Sequence, residues 1–142
     1  MMFMIPEVYQ GGKGKRVGKD FTPPADAIEQ MMKYNEDLAK AGHLLSLDGL
    51  SPIEQGARVS FPNGKPVVTD GPFIESKEVF GGYWHVQFTS KEEAIEWAKR
   101  IPAAEGDTIE IRQIFDVTDW PEDAQKAAES KIVTDAVAQN RK

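Results

Sequence analysis

Five side chains have types and settings suited to chemistry: Arg58, Asp70, Tyr83, His85 and Arg112. Histidine alone has an ordinary pKa near neutrality, so His85 is the candidate base or acid of a proton transfer. Asp70 is the candidate to orient that imidazole or to act as the second acid. Tyr83, Arg112 and Arg58 would hold the substrate, since a guanidinium pairs well with a carboxylate or phenolate. The chemistry this set could perform is acid–base catalysis on a small polar or aromatic compound. The simpler alternatives are a turn cap for Asp70 and a satisfied structural histidine for His85.

The elements that must position these residues begin with a hairpin. Asn63-Gly64 separates Ala57–Phe61 from Pro66–Asp70, and both central residues of a type I′ turn need positive φ. A two-residue loop sets Val59 opposite Val68 and Ala57 opposite Asp70, so Asp70 shares a face with Val59, Phe61 and Val68. Pro72 has no N–H to offer the Asp70 side chain, which must reach Phe73 or Ile74, find a distant donor or stay in water. A carboxylate at the mouth of an apolar pocket would have its pKa raised by desolvation.

Around the hairpin, Met1–Ile5 reads as a strand interrupted by Pro6. Thr22-Pro23 reads as a helix start, with Ile28, Met31, Met32, Asn35 and Leu38 at helical spacing and Gly42 as the stop. Leu44–Leu47 and Tyr83–Thr89 are strands, and Gly81-Gly82 suggests a bulge or a close backbone approach. Ser90 to Glu93 is a capping box opening a helix whose stripe is Ala94, Trp97, Ala98 and Ile101. Ile109–Val117 is the last strand, and Ala124–Ala138 a terminal helix. The Lys- and Gly-rich stretch from Gly11 to Lys19 lacks P-loop spacing and reads as a solvated loop.

Without the hairpin, this order is the ferredoxin-like split βαβ plan: an α+β fold with both helices on one side of an antiparallel sheet. The apolar rows Trp84, Val86, Phe88 and Ile109, Ile111, Phe115 should lie beneath the helices. The mixed rows, with Tyr83, His85, Gln87, Glu110 and Arg112, should face away. Covering that mixed face with a second copy would create a lined cavity in a two-fold dimer.

Composition excludes several classes. The 142 residues suit one main domain, and the chain has no cysteine, hence no disulfide or thiolate site. A net charge of −6 argues against nucleic acid as the direct partner. No run has membrane-span length and no signal-peptide pattern opens the chain, so a soluble cytoplasmic protein is expected. The two histidines and scattered carboxylates make no metal-ligand spacing, and no cofactor is expected.

Several ordered pieces together resemble the YCII-related family, in its DGPF-domain branch. They include Met32-Lys33-Tyr34-Asn35-Glu36, Asp48-Gly49-Leu50, Gly56-Ala57-Arg58-Val59, Thr69-Asp70-Gly71-Pro72-Phe73, Gly81-Gly82-Tyr83-Trp84 and Ile111-Arg112-Gln113. The resemblance covers residues 1–118, with 119–142 as a helical extension. It implies a ferredoxin-like fold pairing into a dimeric α+β barrel, with a homodimer and a small-molecule ligand as partners. Some relatives look like dehydrochlorinases of hydroxylated aromatics. Members of the branch occur near extracytoplasmic-function sigma factors, which makes a regulatory metabolite-binding dimer acting through a protein partner the alternative to an enzyme. The His early in the first helix that a shorter branch pairs with an Asp has no counterpart here.

Overall fold

Alternation along the central strands decides which side of the sheet is covered. In the computed structural model, which describes residues 1–10, 16–72 and 78–140, β1 (Met2–Ile5) lies between β5 (Gly82–Val86) and β6 (Thr108–Ile111). The strand β2 (Leu44–Gly49) pairs with the far edge of β5, giving the order β2-β5-β1-β6 with every pair antiparallel. This is the ferredoxin-like arrangement. Leu47, Trp84, Met2 and Ile111 form one continuous rung, and all four belong to the core packed beneath the helices.

The helices are α2 (Ala25–Lys40) and α3 (Lys91–Ala98), after a single helical turn, α1 (Glu7–Gln10), that follows Pro6. Tyr34 and Leu38 of α2 pack against Met2 and Trp84, with Trp97 of α3 beside them. Leu38 is fully buried, and truncating such a leucine to alanine costs roughly 2–5 kcal/mol. The start of α2 is later than Thr22-Pro23 suggests: Pro24 takes the cap position without a side-chain hydrogen bond. Gly42, with φ of 76°, ends the helix as expected. Only half of the capping box at α3 forms. Ser90 Oγ accepts from the Glu93 N–H at 3.1 Å, but the Glu93 carboxylate turns to the N–H and hydroxyl of Thr89 at 2.8 and 2.7 Å.

The hairpin is β3 (Ala57–Ser60) with β4 (Val67–Asp70), a separate two-stranded sheet. Its register is the one Asn63-Gly64 dictates, Val59 opposite Val68 and Ala57 opposite Asp70, with φ of 53° and 76° at the two turn residues. Gly71 sits so close to the Ile53 carbonyl that a Cβ would overlap it, and its N–H donates to Gly56 O at 2.9 Å. Three strand ends fall elsewhere than the alternation indicates. β2 runs on to Gly49, β5 stops at Val86, and β6 stops at Ile111 rather than Val117. Phe115 therefore lies outside the sheet, 76% exposed.

Residues 113–142 are a second compact unit, separate from 1–112. Asp116 caps a short turn at Val117–Asp119, accepting from Thr118 N–H at 2.9 Å, and the Phe115 and Trp120 rings meet edge to face. The helix expected over Ala124–Ala138 is two helices, α4 (Glu122–Ala128) and α5 (Lys131–Asn140). The residues 11–15 and 73–77, including part of the Lys- and Gly-rich loop and Phe73 with Ile74, lie outside those described.

The Tyr34 hydroxyl, buried against α3, donates to Trp97 O at 3.1 Å, and burial pushes its pKa from 10.0 up to about 12. A phenol whose folded pKa is raised stabilises the fold fully below pH 10 and loses that contribution as pH climbs towards 12. The displacement is worth roughly 3 kcal/mol. Thermal unfolding midpoints should therefore fall steeply between pH 10 and 12, and less steeply in Tyr34→Phe; equal slopes would refute the assignment.

Candidate functional site

The next rung of the sheet is Gly49, Gly82, Met4 and Ile109. Two of its four members put no side chain on the helix-covered face, and the N-terminal half of α2 spans the space left. Gly81 and Gly82 are there for close approach: a Cβ would meet Pro6 Cγ at 2.5 Å and Asp48 O at 2.8 Å respectively. A Cβ on Gly49 would meet nothing within 4 Å.

The result is an open cavity of about 420 Å³. Met4, Leu47 and Trp84 floor it, and Ile28, Met31 and Met32 of α2 form one wall. Tyr9 and Phe21, their rings edge to face with centroids 6.0 Å apart, contribute another. The exposure of Ile28 and Met32, about half each, is explained by this hollow rather than by a solvated helix face.

Polar groups around the cavity are few. Asn35, 6% exposed, accepts from the Trp84 indole N–H through Oδ1 at 2.8 Å. Among the described residues its Nδ2 meets only Met32 Sδ, at 3.9 Å. The Tyr9 hydroxyl donates to Leu50 O at 3.2 Å, and burial, with the Glu54 charge second, raises its pKa. Asp107 is occupied by the N–H groups of Glu7 and Ala104 at 2.9 and 2.8 Å. Among the described lining residues the only charged ones are Asp107 and Asp48, and the Asp48 side chain lies on the opposite face of the sheet.

The opposite face of the sheet carries most of the residues singled out above. Asp48, Tyr83, Phe3 and Glu110 form one rung there, and the Tyr83 hydroxyl donates to Asp48 Oδ2 at 2.6 Å. That hydrogen bond, followed by desolvation and the carboxylate's charge, raises the Tyr83 pKa. His85 lies two residues along, paired with Ser46 and half-buried. Arg112 lies just past β6, its backbone bonded in both directions to Met1 and its Nε 3.9 Å from Glu110 Oε1. The Phe3 and Phe80 rings pack tilted at 33°, centroids 4.9 Å apart.

Arg58 and Asp70 lie apart from this group, on the hairpin. Arg58 pairs with Thr69 and borders a second hollow of about 460 Å³ beside Ile53 and Phe80. Asp70 ends β4, exposed, in a sheet separate from the one that holds His85. The other histidine is structural. His43 Nδ1 lies 3.0 Å from Gln87 O, its ring packs against Phe88 and Trp97, and Nε2 lies 3.6 Å from Glu93.

Two residues emerge that chain order did not single out for chemistry. Asn35 had a signal, a polar side chain inside an otherwise apolar helical stripe. Asp48 had none, because its partnership with Tyr83 depends on a strand pairing between residues 35 positions apart.

The family model of the YCII-related domain matches residues 1–118. The chain belongs to the YCII-related family. This YCII-related protein is also 32% identical, over 77 residues, to an uncharacterised protein of Rhizobium meliloti (strain 1021). That stretch is 53% of the present chain and 62% of the relative, less than two thirds of the latter's length.

The Asp48–Tyr83 bond gives a direct test of the face on which both lie. Replacing the carboxylate in Asp48→Asn removes both the strong acceptor and the negative charge. Tyr83 should then ionise at lower pH, seen as an earlier tyrosinate absorbance step among the three tyrosines. An unchanged titration would show that the two side chains do not meet in solution.

Proposed function

We propose that this protein binds a small organic molecule in the cavity between α2 and the sheet. The observation that carries the proposal is the cavity itself. At about 420 Å³ it lies within the usual range of ligand sites, about 300–1,000 Å³, and it is mostly apolar with a few convergent polar groups. Gly49 provides the test, because a side chain there meets no atom on entry and starts from the floor of the hollow. The neutral fluorescent probe N-phenylnaphthylamine should bind the wild type with enhanced emission. Gly49→Phe should reduce its affinity at least tenfold while leaving the circular dichroism spectrum unchanged. Equal binding by the two proteins, or none by the wild type, would remove this function.

A second role, proton transfer on a small polar or aromatic compound at the opposite face, draws support from the 2.6 Å Asp48–Tyr83 bond with His85 on the same side of the sheet. Arg112 stands at that face's edge as the anion-binding group, while Arg58 and Asp70 lie apart on the hairpin. This role requires the face to be covered, and we propose a homodimer as the cover. Val59, Phe61 and Val68 are each more than half exposed on the hairpin, an apolar surface of the kind that marks an interface. Light scattering should give twice the 15.8 kDa chain mass, and Val68→Asp should return it to that of one chain. A wild-type protein of single-chain mass would exclude the covered face.

A further inference from the structure

We propose that the ligand of the α2–sheet cavity is a neutral, largely apolar compound that presents one hydrogen-bond acceptor, such as a ketone or ester carbonyl, to the side-chain amide of Asn35. The inference rests on the cavity being a binding site and names what it selects. Trp Nε1 can only donate, so the atom of Asn35 facing Trp84 at 2.8 Å must be the carbonyl oxygen, and the NH₂ is turned the other way. That NH₂ lies on the side of Met32, which is itself part of the cavity wall.

An amide NH₂ has two protons to place, and a thioether is a weak acceptor. The single contact to Met32 Sδ, at 3.9 Å, engages one of them at best. At least one donor of a side chain that is 6% exposed is therefore left without a partner among the described residues. A buried donor in that position is costly unless something accepts from it, and a ligand oxygen recovers the loss.

The charged groups fix the rest of the ligand's character. No Lys, Arg or His is among the described lining residues, whereas Asp48 and Asp107 are. The Asp107 oxygens are already held by two backbone N–H groups, and the Asp48 side chain lies with Tyr83 on the opposite face of the sheet. An anionic ligand would meet the Asp107 carboxylate and, among the described lining residues, no counter-charge in an apolar hollow, where burying a charge is most costly. A polyhydroxylated ligand would find one free donor for its many oxygens. A single acceptor on an apolar frame matches both the donor and the walls.

Three probes of one shape separate the outcomes by calorimetry on the intact protein: an acetylnaphthalene, the corresponding ethylnaphthalene and the corresponding naphthoate. The ketone and the hydrocarbon should both bind, and the naphthoate should bind at least tenfold more weakly than the ketone. The infrared carbonyl stretch of the bound ketone should lie below its position in an apolar solvent. Asn35→Leu should lower the ratio of ketone to hydrocarbon affinity about fivefold. Because that change also strips the Trp84 indole of its acceptor, the pair Asn35→Leu with Trp84→Phe provides a version with neither group orphaned. An unshifted carbonyl stretch in the wild type, or naphthoate binding as tight as the ketone's, would overturn the inference while leaving the cavity a binding site. Failure of all three probes to bind would remove the binding function and this inference with it.

Discussion

The hydrogen bond from the Trp84 indole to Asn35 is the contact on which the main unit depends. It is buried, joins the strand next to the sheet's centre to the middle of the longest helix, and links residues 49 positions apart. Apolar packing between Trp84, Tyr34, Leu38 and Met2 supplies most of the energy but tolerates sliding. A polar pair buried at one point tolerates none, because displacing either partner strands it at a cost of about 1–3 kcal/mol. The bond thus fixes how far along the sheet α2 sits, and with it which strand residues the helix covers and which it overhangs.

What it overhangs is the glycine rung. With α2 held at Trp84, its earlier turns pass over Gly49 and Gly82, where the sheet is one side-chain layer thinner. Close packing would ordinarily abolish such a gap. Here the alternatives are blocked from both sides, since Gly82 cannot take a Cβ against the Asp48 carbonyl and the helix cannot descend without moving Asn35. The turn after Pro6 is pinned nearby by an amide clamp, Gln10 donating to Val79 O at 2.9 Å and accepting from Val79 N–H at 2.8 Å. The hollow is a consequence of these restraints and not of loose packing.

Local signals in the sequence were legible wherever the chemistry was local. Asn63-Gly64 determined the hairpin register residue for residue, and the strict alternation of Tyr83 to Phe88 told which side of β5 meets the helices. Strand ends were less legible, because the pattern of Ile109, Ile111 and Phe115 continues past the point where β1 runs out of partners at Met2. The break between α4 and α5 lies at Glu129-Ser130, where Ser130 caps α5 by accepting from the Val133 N–H at 3.4 Å, a cap signal set inside an alanine-rich run. Asn35 was visible as a polar residue in an apolar stripe, but its meaning required knowing that the stripe ends over two glycines. The hairpin carries Asp70 in its own two-stranded sheet, apart from the four-stranded sheet that holds His85, a separation that chain order alone does not set.

The two faces of the four-stranded sheet have opposite chemical characters, and one register decides both. Antiparallel pairing of Leu47 with Trp84 places Asp48 opposite Tyr83 by necessity, one residue along and on the other side. A slip of one position would carry Trp84 out to the polar face and Tyr83 into the core, exchanging every side chain at once. The buried Trp84–Asn35 bond opposes that slip from one side, and the Tyr83–Asp48 bond opposes it from the other. The interactions that would define a ligand's surroundings on either face are therefore also the ones that hold the sheet in register. Substitutions at Asn35 or Asp48 act on both, which is why a change in binding at either residue has meaning only alongside a measure of the fold.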